Sequence, residues 1–144
     1  MGLVSYEDDY AAWALANARM IRSGRISELD LEHLAEELES MGKKSQRELV
    51  SRLTILLMHL LKWKMQPNLR NNSWKATIRH QRYEIQDLLE ESPSLLSGLE
   101  HFLDKAYERA RVEAATETGL ADTAFPARCE WKPSDVLSQD FWPE

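Results

Sequence analysis

The segment from Leu49 to Met65 constrains this chain more than any other. Leu49, Val50, Leu53, Ile55, Leu56, Leu57, Met58, Leu60, Leu61, Trp63 and Met65 make a helix apolar on nearly every side. A helix apolar all round belongs at the buried centre of a bundle. At 17 residues it falls short of the roughly 20 needed to cross a bilayer, so no membrane role is expected. Pro67 ends it, because the proline ring drives Gln66 out of helical geometry.

The other segments read as helices that wrap this one. Ser5 and Asp8 resemble a capping box, and Tyr6, Tyr10, Trp13, Ala14, Leu15 and Ala18 follow at helical spacing towards a stop at Gly24. Leu31, Leu34, Leu38 and Met41 form a narrow stripe on a helix starting near Ser27 or Asp30, and Gly42 either ends it or is carried inside a longer one. Asn72 or Ser73 can cap a helix bearing Trp74, Ile78, Ile85, Leu88 and Leu89. Ser92-Pro93 reads as a cap with proline at the first helical position, before the stripe Leu95, Leu99, Phe102, Leu103, Ala106, Ala110 and Ala114, closed by Gly119. No stretch alternates as a strand does. The expectation is an all-α fold, a single helical bundle of four or five main helices over residues 6–22, 28–41, 43–66, 73–91 and 93–118. An irregular C-terminal tail, 120–144, carries Phe125, Trp131, Leu137, Phe141 and Trp142 and is expected to pack across the bundle.

At 144 residues the chain has the length of one domain, and 43% apolar with 29% charged residues is a globular balance. One cysteine, Cys129, excludes an intramolecular disulfide, and the acidic start lacks a signal-peptide pattern. A cytoplasmic location follows as the expectation. The net charge of -6 hides an uneven layout. Residues 1–42 carry a net -6, residues 43–82 a net +9 and residues 83–144 a net -9. The basic middle is either neutralised by acidic helices around it or turned outward as a surface for anions.

The densest polar cluster lies in that basic middle. His59, Lys62 and Gln66 fall at spacings of three and four on one helical stripe. Trp63, Arg70 and Trp74 flank the turn, and Arg79, Gln81 and Arg82 follow it. Two tryptophans beside cations suit stacking or cation–π contact. These nine residues are the candidate binding set. The alternative is that they are satisfied inside the bundle, with the stem of Lys62 running past Trp63 to water. Asp30, His33 and Glu37 have ligand spacing for a metal, but di-iron bundles need a second half-site and none exists, so His33 reads as an ordinary helix-surface residue. No metal and no cofactor is expected. Cys129 has no neighbouring histidine in sequence, and neither a nucleophile elbow nor a phosphate loop is present.

The runs Asp30–Glu39, Met41-Gly-Lys43 and Leu56–Trp63 with Gln66-Pro67 resemble the bacterial domain-of-unknown-function family twenty-nine. So do Ser73-Trp74, Thr77-Ile78, Gln81-Arg82, Ser92–Leu95, Glu117–Leu120, Phe125-Pro126, Cys129 and Asp140–Pro143, with Glu130 standing where the family pattern has proline. The resemblance implies a small all-helical protein and no catalytic residue. Its motif positions coincide with His59, Lys62, Trp63, Gln66, Pro67, Trp74, Gln81 and Arg82. The functional expectations are, in order, a non-catalytic module with a protein partner or a homo-oligomer, a nucleic-acid or anion binder through residues 62–82, and an enzyme built on the His59–Arg82 cluster.

Overall fold

The computed structural model describes residues 4–144 and is all-α, with no strand among the described residues. Its helices are α1 (Tyr10–Arg22), α2 (Leu31–Met65), α3 (Asn72–Glu91), α4 (Leu99–Thr118) and α5 (Pro133–Leu137). Short 3₁₀ turns at Ile26–Glu28, Pro67–Leu69, Pro93–Gly98 and Asp122–Ala124 connect them. No helix of the described residues is long and apolar enough to cross a membrane.

The chain divides into two compact units, 1–43 and 44–144, with α2 contributing to both. In the first unit α1 starts later than the Ser5–Asp8 pattern suggests. The Asp8 N–H does reach Ser5 Oγ at 3.2 Å, but the cap is Asp9, whose carboxylate accepts from Ala12 N at 3.0 Å. The helix closes in a Schellman motif: Arg25 N donates to Met20 O and Gly24 N to Ile21 O, with Gly24 at φ +75°, a conformation glycine adopts without steric cost. Trp13, Asn17 and Met20 face inward. Buried Asn17 donates to Trp13 O (2.9 Å) and accepts from Asp30 N (3.0 Å), so it ties α1 to the start of α2.

In the second unit the apolar segment of α2 is the hub. Leu49, Leu53, Leu56, Leu57 and Leu60 are fully buried and share one core with Ile78 and Ile85 of α3, Leu103 and Ala106 of α4, Phe125 and Val136. Alanines 106, 110 and 114, one turn apart and fully buried, let neighbouring backbone approach closely. The predicted segments 28–41 and 43–66 are one helix in the structure. Gly42 supplies ordinary helical geometry there, at a propensity cost of about 1 kcal/mol that the surrounding helix formers absorb. The predicted helix 93–118 is interrupted: Pro93, Ser94, Ser97 and Gly98 favour a 3₁₀ turn, with Ser97 Oγ donating to Ser94 O, and α4 begins at Leu99. The cap of α3 is Asn71, which accepts from Trp74 N at 2.8 Å, one residue before the expected Asn72 or Ser73. Gly119 closes α4 at φ +73° as expected. Most of the expected tail residues lie on the core: Phe125 is buried, Trp131, Leu137 and Trp142 pack against it, and Phe141 meets the Trp131 ring edge-on.

Candidate functional site

The nine candidate residues do not share one local environment. His59 directs Nδ1 at the Ile55 carbonyl one turn earlier (2.8 Å), and burial lowers its pKa, so its ring is neutral at pH 7. Lys62 pairs with Glu117 of α4 at 2.6 Å and places its ammonium 4.7 Å from the centre of the Trp74 ring. Its stem does not run past Trp63 to free solvent, because α4 offers a carboxylate directly across. Gln66 is half-buried, with its N–H on the Lys62 carbonyl. Gln81 is buried and accepts from Arg52, which also meets Glu48 and Glu84.

Trp63, Arg70 and Arg82 gather around the tail. Arg70 Nε donates to Trp63 O (2.7 Å) and Nη2 to Pro143 O (3.2 Å), with the guanidinium 4.9 Å from the Trp63 ring. Arg82 Nε donates to Val136 O and Nη2 to Phe141 O, each at 2.8 Å. Trp142 contacts Trp63 (4.8 Å between centroids) and Arg82 (5.4 Å). Arg79 is exposed; its carbonyl, not its guanidinium, receives Gln139 Nε2 at 3.1 Å. The cluster therefore works largely as a clasp that fixes residues 136–143 against α2 and α3. Of the six bases within residues 62–82, Lys62, Arg70 and Arg82 are engaged in these contacts and Lys75 places its ammonium 6.0 Å from the centre of the Trp142 ring, while Lys64 and Arg79 are the other two. Arg82 also lines a cavity of about 300 Å³ with Gln86, Leu89, Glu90, Leu96 and Leu137. Burial lowers its pKa to about 10, which leaves it a cation at neutral pH.

A second constellation, in the first unit, escaped the sequence reading. Tyr6 and Tyr10 both donate their hydroxyls to Glu37, Tyr10 at 2.7 Å. Trp13 Nε1 donates to Asp30 Oδ2 (2.8 Å), and His33 Nδ1 meets the same oxygen at 2.8 Å while Nε2 lies 3.1 Å from Glu7. Tyr6 stacks on the His33 ring at 4.4 Å and 15°. His33 is thus no ordinary surface residue. Its pKa is raised: the Asp30 hydrogen bond outweighs the opposing effect of desolvation, and the charges of Asp30, Glu7 and Glu36 add to it. Burial pulls Asp30 upward, but the Trp13 and His33 hydrogen bonds win and its pKa is lowered. Glu37 is lowered by its two tyrosines, and Tyr6 is pushed up to about 12 by Glu37. The signal was present as matched spacings, Tyr6–Tyr10–Trp13 against Asp30–His33–Glu37, although in the structure Tyr6 lies in the turn before α1 and Asp30 just before α2. Among the described residues no group of three or more His, Cys, Asp or Glu has the arrangement to hold a metal ion.

The first half of α2 presents a further face. Leu31, Leu38 and Met41 are 65%, 66% and 65% exposed, and Leu34 between them is half-buried. Their 3-4-3 spacing is that of a helix–helix seam. Glu32, Glu36 and Glu39 are exposed on the same stretch.

A family model described as a domain of unknown function, DUF29, matches residues 5–142. No curated protein and no solved structure matches the chain.

Proposed function

Because this chain belongs to the DUF29 family, whose description assigns no activity, we propose from its own residues that it is a non-catalytic protein-interaction module of the bacterial cytoplasm. The observation that carries the reading is the exposed seam Leu31–Leu34–Leu38–Met41. Three large apolar side chains at two-thirds exposure, in helix-pairing register, match the anchor pattern of helix recognition. On this spacing Asp30 and Glu37 fall beside the seam, so the partner is a helix with an apolar stripe bordered by lysine or arginine. A second copy would bring these carboxylates against each other, which disfavours self-pairing through this face.

Catalysis is the weaker reading because the residues that would supply it have structural work: His59 bonds its own helix, and Arg70 and Arg82 hold the tail. The test is binding of two synthetic helical peptides with the same leucine stripe, one bordered by lysines and one by glutamates. The lysine peptide is expected to bind, and Leu38→Ser with Met41→Ser to abolish binding at unchanged net charge. Equal binding of both peptides, or binding indifferent to the double substitution, overturns the proposal. Concentration-dependent dimerisation lost in the same double variant replaces the partner helix with a second copy.

A further inference from the structure

The most unusual side chain in the second unit is Arg82. It is 2% exposed, yet no carboxylate lies within ion-pair distance of it among the described residues. Two of its nitrogens bond neutral carbonyls, and the third, Nη1, has no hydrogen-bond partner. Buried arginines are rarely left without a counter-charge, because desolvating the cation is costly and only an anion recovers most of that cost. The same residue lines the cavity of about 300 Å³, whose other walls are Leu89, Leu96 and Leu137 with Gln86 and Glu90. That volume is at the small end of ligand sites, which are mostly apolar with a few polar groups fixing orientation. A shallower groove of about 710 Å³, reaching Lys132 and Glu100, shares Leu96 and Leu137 with it.

We propose that this cavity is a binding site for a small amphipathic monocarboxylic acid. Its carboxylate pairs with the Arg82 guanidinium, and its aliphatic or aryl part lies along Leu89, Leu96 and Leu137. The polar lining selects the charge type. Nη1 carries two unpartnered N–H groups, enough for one carboxylate, while Glu90 in the wall opposes the second charge of a dianionic phosphate. Glu90 is turned towards Gln86, whose Nε2 lies 3.3 Å from it, rather than paired with Arg82. Solvent does not reach Nη1, so the acid must displace the side chains that seal it, and binding is expected to reorder the cavity wall.

Octanoate, 1-octanol and octylamine, titrated into the full chain and followed by amide chemical shifts, test this. With about ten heavy atoms, octanoate is expected to bind with a dissociation constant on the order of 1 mM. Shifts should concentrate in the C-terminal half of α3, in 93–98 and in α5. Octanol is expected to bind about tenfold more weakly and octylamine not at all. Arg82 also holds the tail, so its substitution risks unfolding. Leu96→Glu serves instead: Leu96 is 55% exposed, and an acid at the mouth should weaken octanoate by about tenfold while leaving the melting temperature unchanged. Equal affinity for octanoate and octanol, shifts centred elsewhere, or no saturable binding by 10 mM (roughly ten times the expected constant) overturns the site.

Discussion

Arg82 and His33 show how single side chains carry more than their exposure suggests. Arg82→Ala leaves the Val136 and Phe141 carbonyls without their donors, and hydrogen bonds to a charged group contribute about 1.5–3 kcal/mol each. Part of that is returned because a buried cation disappears, so a net loss of about 3 kcal/mol in urea unfolding is expected. Amide exchange in 133–143 should rise more than the global loss explains. Unchanged protection there would mean that Trp142 and Val136 hold the tail by apolar packing alone. At His33 the protonated ring is the form favoured by Asp30 and Glu7, so its folded pKa lies above the unfolded value near 6.5. Its stabilisation is full below that unfolded value and is lost as pH rises through the folded pKa. The stability gap between the wild type and His33→Gln should therefore be wider at about pH 5.5 than at about pH 8.5. A gap independent of pH would leave only the Tyr6 stacking to account for the residue.

At the level of elements, α2 is legible where packing decides and illegible where it does not. The all-apolar stretch from Leu49 announced a buried hub because no other arrangement removes that much surface from water, and the hub is there. Gly42 was ambiguous because the cost of glycine in a helix is smaller than the gain from continuing one, and sequence carries no sign of which wins. A Cβ at Gly42 meets nothing within 4 Å, so Gly42→Ala should stabilise by about 0.5–1 kcal/mol, read as a higher urea midpoint at constant slope. The same change at Gly119, held at φ +73°, should destabilise by about 1 kcal/mol. The candidate cluster was found in sequence by its composition, but its use was not. Arg70, Arg82 and the Arg79 carbonyl meet tail partners 54 to 73 positions away, and such long-range pairings leave no local pattern. The Tyr6–His33 network was missed for a related reason: two short runs at the starts of α1 and α2 match each other, and each alone looks like surface.

The two units differ sharply in what they bury. The second holds an uninterrupted core running from Leu49 through α3 and α4 to Val136, all inside residues 44–144. Among its described residues the first buries two large apolar side chains, Trp13 and Met20, and relies on the hydrogen bonds of Asn17, Asp30 and Glu37. Chains below about 40 residues rarely fold without a disulfide, a metal or a partner, and isolated helices of α1's 13 residues are marginal in water. A fragment starting at Lys44 is therefore expected to keep its helical circular dichroism and a cooperative melt. A fragment of residues 1–43 should be largely unfolded at 25 °C. The seam at Leu31, Leu38 and Met41 belongs to that weaker unit, and a partner that covers it adds the apolar burial the unit lacks. Titrating the lysine-bordered peptide into fragment 1–43 should raise its helicity in a saturable way, since a ligand that binds only the folded form draws the equilibrium towards it. A fragment 44–144 that fails to melt cooperatively would show that its core depends on the first 43 residues. A fragment 1–43 already folded alone would show that its polar network suffices without added burial.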